Sequence, residues 1–145
     1  MVFVIVLLII SLDQLSKFFI CKYFLLNSPI AVIKGIFYLT RVHNRGAAFG
    51  ILKNQTPLFI FTSLLAVVMI YRCLKENRHK RIYIVSLSLI LAGAIGNLID
   101  RLAFGYVIDF LDFRIWPVFN IADSSITVGV ALLCWQILVP RHNAK

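Results

Sequence analysis

Residues 82–99 read IYIVSLSLILAGAIGNLI and run directly into Asp100 and Arg101. This stretch decides the fold. It is uncharged over 18 residues, close to the ~20 apolar residues that cross a bilayer as a helix. Working outward, residues 1–23, 56–74 and 121–139 have the same character. Pro57 stands where the first turn of the second stretch tolerates a missing N–H, and Pro140 closes the fourth. Residues 1–23 are interrupted by Asp13, Gln14 and Lys17 and lack a basic leader and a small-residue cleavage site. They predict a retained anchor, not a secretion signal. The expected fold class is a membrane all-α protein, a four-transmembrane-helix bundle built as one domain over residues 1–145.

Composition agrees. The chain is 61% hydrophobic and 14% charged, with a mean hydropathy of +0.91. Globular domains lie near about 45–50% and about 25%. The net charge of +9 is scattered among apolar segments, so it argues against a nucleic-acid stripe and for attraction to anionic lipid headgroups. Cys21, Cys73 and Cys134 are too dispersed for a disulfide framework. His43, His79 and His142 are as dispersed and suggest no zinc site.

Four crossings place both termini and the 72–81 hinge on one side. Seven basic residues fall there (Arg72, Lys75, Arg78, Lys80, Arg81, Arg141 and Lys145). Seven fall opposite (Lys22, Lys34, Arg41, Arg45, Lys53, Arg101 and Arg114). Density breaks the tie, since five crowd into one ten-residue hinge. The positive-inside rule then puts termini and hinge in the cytoplasm. Residues 25–55 are long for a simple connection, which suggests a structured segment. Within them Ile36-Phe37-Tyr38-Leu39-Thr40-Arg41-Val42 reads as a strand, and Asn44-Arg45-Gly46 as a turn. The second external segment, residues 101–120, carries aromatic residues suited to the membrane–water interface.

Acids are scarce in this chain. Only six are present, and four of the five aspartates lie between Asp100 and Asp123. An unpaired charge in hydrocarbon costs roughly 2.5–3.5 kcal/mol on insertion scales, so their retention points to chemistry. Taken singly, Asp123 reads as the N3 acid of a capping box opened by Asn120, and Asp109 as a solvated loop residue. Taken together, a turn at Pro117 can fold the chain back so that the two carboxylates meet. Close carboxylates share a proton, and the pair can then divide acid and base roles.

Other polar residues supply a frame. Asn97, Asp100 and Arg101 stand at i, i+3 and i+4 on one face of the third helix, where Asp100 and Arg101 either pair to anchor the helix at the interface or contact substrate. Asp13 and Lys17 are one turn apart and predict a buried ion pair. Ser16 beside Lys17 is no nucleophile–base pair, because adjacent helical positions diverge by about 100°. Ser88, Ala92 and Gly96 form a small-residue stripe for close helix packing.

Four blocks in order resemble the lipoprotein signal peptidase, or signal peptidase II, family. They are Asp13-Gln14 with Lys17; Asn44-Arg45-Gly46-Ala47-Ala48-Phe49-Gly50; Gly96-Asn97-Leu98-Ile99-Asp100-Arg101; and Asp109-Phe110 with Phe119-Asn120-Ile121-Ala122-Asp123. The resemblance implies an aspartic endopeptidase of the bacterial inner membrane, active near the periplasmic face. Its substrates are implied to be diacylglyceryl-modified prolipoproteins, cut just before the lipidated cysteine. Asp109 and Asp123 match the catalytic pair. Asp13, Lys17, Asn44, Gly46, Asn97, Asp100, Arg101 and Asn120 match residues that bind substrate or shape the site. The family also implies a small external β-element between helices 1 and 2, contact with membrane lipid, a monomeric state, and no metal or cofactor.

Two other classes compete. A proton-coupled carrier could use Asp13, Asp100 and Asp123 as a relay, but the internal repeats and broken helices of carriers are not visible. A membrane scaffold would leave the clustering of acids on one side unexplained.

Overall fold

The computed structural model describes residues 1–46, 54–76 and 81–139. Residues 47–50 of the second motif block, and the basic residues Lys53, Arg78, Lys80, Arg141 and Lys145, lie outside the described residues. Each apolar stretch forms a helix: α1 (Val2–Tyr23), α2 (Thr56–Glu76), α3 (Arg81–Phe104) and α4 (Ile121–Leu138). All four are long and apolar enough to span a membrane. Half of the apolar window of α3 is buried, against 6% for α2. Thus α3 is the central helix, packed against the other three, while Leu, Phe and Val side chains of α1, α2 and α4 stay exposed for lipid.

Small residues let α3 and α4 approach closely. A Cβ on Gly93 would collide with Ala122 O and Ser125 Oγ, and one on Gly129 with Ser86 O and Ile90. The Ser88–Ala92–Gly96 stripe is buried as expected, and Gly96 leaves room for the Asp13 carboxylate.

Between the helix ends lies an antiparallel sheet ordered β1 (Ile30–Ile33), β2 (Phe37–Asn44) and β3 (Val107–Asp112). The β-element between α1 and α2 is therefore present, and it is wider than the sequence suggested. Its third strand comes from between α3 and α4, and the expected strand at residues 36–42 extends to Asn44. Gly35 turns the β1–β2 hairpin at φ +83°, a conformation open to glycine without a Cβ penalty. The chain also folds back after β3: Leu111 N donates to Phe119 O (2.8 Å) and Phe119 N to Leu111 O (3.1 Å). The segment containing Pro117 thus reverses as the acid-pair reading required.

One boundary is corrected. α3 runs on to Phe104, so Arg101 belongs to the helix and not to the external segment. It ends where the Gly105 N–H donates to Arg101 O (3.0 Å) at φ +78°, a glycine C-terminal cap. The Thr56 hydroxyl donates to Gly105 O (2.9 Å) and ties the start of α2 to this end.

Candidate active site

The site is built around the first turn of α4. Asn120 is its N-cap, accepting the Asp123 N–H on its side-chain oxygen (2.8 Å) while Asp123 Oδ2 accepts the Asn120 N–H (3.2 Å). The capping box read from the sequence is therefore present. It occupies one carboxylate oxygen of Asp123; the other, Oδ1, accepts from Asn97 Nδ2 (2.7 Å).

Asp109 reaches the same place from β3. Read singly it was a solvated loop acid; it is instead a strand residue with 2% exposure. Opposite Val42 in the β2–β3 register, it is held from both sides. Asn44 Nδ2 donates to Oδ2 (2.9 Å), and Asn120 Nδ2 donates to Oδ1 (2.7 Å). Asn44 is in turn fixed by the Gly46 N–H on its side-chain oxygen (2.9 Å), a side-chain-closed turn of the kind asparagine favours. Asn120 thus touches both acids. Burial, and then the Asp123 carboxylate, push Asp109 up to about 7, with Asn44, Asn120 and Lys17 pulling the other way.

Beneath the pair lies a buried charge cluster. Lys17 Nζ donates to Asp13 Oδ2 (2.7 Å), Asp100 Oδ2 (2.9 Å) and Asn97 Oδ1 (3.2 Å). The predicted Asp13–Lys17 ion pair is there, and it has a third member. The Asp100–Arg101 pair is not: Asp100 turns to Lys17, the Gln14 amide (3.0 Å) and the Ile108 N–H (3.1 Å). Neighbouring positions on a helix point about 100° apart, so Asp100 faces α1 while Arg101 sits over the Phe59 ring at 5.1 Å. Asp13 spends its second oxygen on the Ala122 N–H (2.9 Å), satisfying an orphan donor of the α4 terminus from another helix.

Arg101, Asn44, Gly46, Asn97 and Asp123 line a cavity of about 280 Å³. A second, mostly apolar groove of about 500 Å³ shares Asp123 and is walled by Phe113, Ile115, Trp116, Phe119 and Val128. A chamber of mixed polar and apolar lining and an apolar trough therefore meet at Asp123. The structure brings the residues selected from sequence together: Asn44, Asn97, Asp109, Asn120 and Asp123 are joined by hydrogen bonds, Gly46 and Arg101 line the chamber, and Asp13, Lys17 and Asp100 form the cluster below. The sequence reading missed Arg41 and His43. Arg41 donates to Cys21 O (3.0 Å), latching β2 to the end of α1, and its Nη2 lies 3.3 Å from His43 Nε2. His43 stacks on Tyr106 (3.9 Å), and burial together with Arg41 and Arg45 lowers its pKa. The one available signal was Arg41 as the single formal charge of the strand-forming stretch 36–42.

Fold and site define a multi-pass membrane protein with paired acids where a helix bundle meets a small sheet. The family profile described as Signal peptidase (SPase) II matches residues 5–139. The chain is 53% identical over 137 residues to a lipoprotein signal peptidase of Moorella thermoacetica, covering 92% of this chain and 90% of that one. It is 47% identical over 139 residues to that of Halothermothrix orenii, covering 94% and 96%. A solved bacterial membrane enzyme, determined in meso at 2.3 Å, superposes with a TM-score of 0.93 at 32% identity, covering 99% of this chain and 91% of that one. The chain belongs to the signal peptidase II family. It is accordingly a membrane hydrolase, and the carrier reading is set aside.

Proposed function

We propose that this protein is an aspartic endopeptidase that removes the signal peptide from diacylglyceryl-modified prolipoproteins, cutting just before the lipidated cysteine, with Asp109 and Asp123 as its catalytic pair. The carrying observation is Asn120, which bonds Asp109 through its amide and Asp123 through the capping box. Two acids held this way share one proton near neutrality, in keeping with the raised pKa of Asp109.

The ionised carboxylate takes a proton from water, whose oxygen attacks the scissile carbonyl carbon. The protonated carboxyl gives its proton to the carbonyl oxygen, forming a gem-diol. Collapse breaks the C–N bond and delivers a proton to the leaving cysteine amine. Arg101, which lines the chamber, can donate to peptide carbonyls that would otherwise be buried unpaired. The apolar groove beside Asp123 offers the lipid-bearing residue an apolar surface.

Charge supports the setting. The dense 72–81 hinge favours cytoplasmic termini, and with them a sheet and site on the periplasmic side of the inner membrane. The protein acts there as a monomer in contact with membrane lipid.

The test is cleavage by the purified protein in detergent. Lipid-modified prolipoprotein should yield a product whose first residue is the modified cysteine, read by mass spectrometry. Equal cleavage of the unmodified precursor, or cleavage elsewhere, overturns the substrate assignment.

A further inference from the structure

Lys17 lies below the acid pair at 2% exposure, too deep to touch a peptide in the chamber, whose lining does not include it. With Tyr23 at the end of α1, Lys17 sits about 9 Å down the helix at ~1.5 Å per residue. Its three N–H groups have three acceptors: Asp13 Oδ2, Asp100 Oδ2 and Asn97 Oδ1. The first two are carboxylates that together outweigh its single positive charge. The third carries the inference.

An ammonium group can only donate. Facing Lys17, Asn97 must present its oxygen, and its NH₂ group is thereby turned toward Asp123 Oδ1 at 2.7 Å. The same Asn97 oxygen accepts from Asn120 Nδ2 (3.1 Å), whose other contact is Asp109 Oδ1 (2.7 Å). With Lys17 absent, the Asn97 oxygen keeps only the Asn120 donor at 3.1 Å, and the amide loses the ammonium anchor that sets its place between Asp123 and Asn120. We propose that Lys17 is a positioning residue that, through the amide of Asn97, fixes the donor on Asp123 and the link to Asp109.

The groups facing this relay are Asp13 on α1, Asp100 and Arg101 on α3, Asp109 on β3, and Asn120 and Asp123 on α4. The inference rests on the Asp109–Asp123 reading. Asp109→Asn and Asp123→Asn therefore run alongside as references. Substantial cleavage by either overturns that reading, whatever the Lys17 variants do.

Removing Lys17 alone strands two buried carboxylates. The assay therefore uses Lys17→Met in an Asp100→Asn background, which leaves the formal charge of the cluster unchanged. Cleavage of lipid-modified prolipoprotein is measured with Asn97 present and with Asn97→Ala. With Asn97 present, Lys17→Met should lower kcat by about ten- to a hundredfold, the scale of a small misplacement at a reacting centre, and leave KM unmoved. With Asn97→Ala already made, the same change should cost less than about twofold. Equal losses in both backgrounds, no loss, or a loss confined to KM overturns the proposal.

A second variant tests the donor by itself. Asn97→Asp keeps an acceptor facing Lys17 but replaces the donor facing Asp123. The added buried carboxylate should lower the melting temperature, and below that temperature the folded protein should lose at least about tenfold in kcat. A folded Asn97→Asp with unchanged kcat contradicts the relay.

Discussion

Asp123 does two jobs with two oxygens. Oδ2 closes the capping box and Oδ1 takes the Asn97 donor, so the cap holds in place the carboxylate that the proposed mechanism uses. The cap was legible because Asn120 and Asp123 are three residues apart. The burial of Asp109 was not legible: its donors, Asn44 and Asn120, lie 65 and 11 residues away. Two predictions belong to this residue. The Asn44 bond favours ionised Asp109, so Asn44→Ala should raise its pKa above about 7 and carry the alkaline limb of the kcat–pH profile upward; an unmoved or lowered limb contradicts this. The second concerns stability. The ordinary value of 3.8 rises to about 7 on folding, so the folded state holds a proton that the unfolded chain has released. Stability from this group is intact below about pH 4, falls as pH rises through the window, and is fully lost above about 7. Asp109→Asn should remove that slope and raise the melting temperature at pH 8 relative to the natural chain, as thermal melts across pH can check.

At the scale of elements, hydropathy located all four helices within a few residues. It could not place β3, because Tyr106-Val107-Ile108-Asp109-Phe110 is too short to specify a strand without β2, which is distant in sequence. Nor did it show how far α3 passes Ile99, because Asp100 and Arg101 end the apolar run although they continue the helix. The 100° rule that dismissed Ser16 with Lys17 applies equally to Asp100 with Arg101, and the structure follows it. The tightest helix contact is set by glycine. Gly93→Leu would drive a side chain into Ala122 O and Ser125 Oγ, tilting the α4 terminus that carries Asn120 and Asp123. A loss of about 1–3 kcal/mol, the usual cost of overpacking, should appear as a lower melting temperature together with reduced turnover. Full stability in that variant contradicts the packing described.

The whole molecule combines a lipid-facing exterior with a buried polar seam running from Asp13 to the sheet. α1, α3 and α4 each place charged or amide groups in that seam, and each group finds a partner in another element. Spacing on one helix could suggest Asp13 with Lys17, whereas the meeting of α1 and α3 at Lys17, with α4 joined through Asp13 and Asn97, is a property of the assembled bundle. Orientation belongs to this scale as well. Lys34 lies in the exposed β1–β2 turn, so in a background free of Cys21, Cys73 and Cys134, Lys34→Cys should react with a membrane-impermeant maleimide added outside spheroplasts. Labelling only after lysis would reverse the proposed orientation.

The central claim, that Asp109 and Asp123 perform the hydrolysis, is tested most directly by turnover of purified Asp123→Asn on lipid-modified prolipoprotein. Asparagine at this position keeps an oxygen for the Asn120 N–H, so the capping box and the fold should survive. The account predicts a folded protein that still binds substrate and cleaves it at least about a thousandfold more slowly. Cleavage near the natural rate would contradict it.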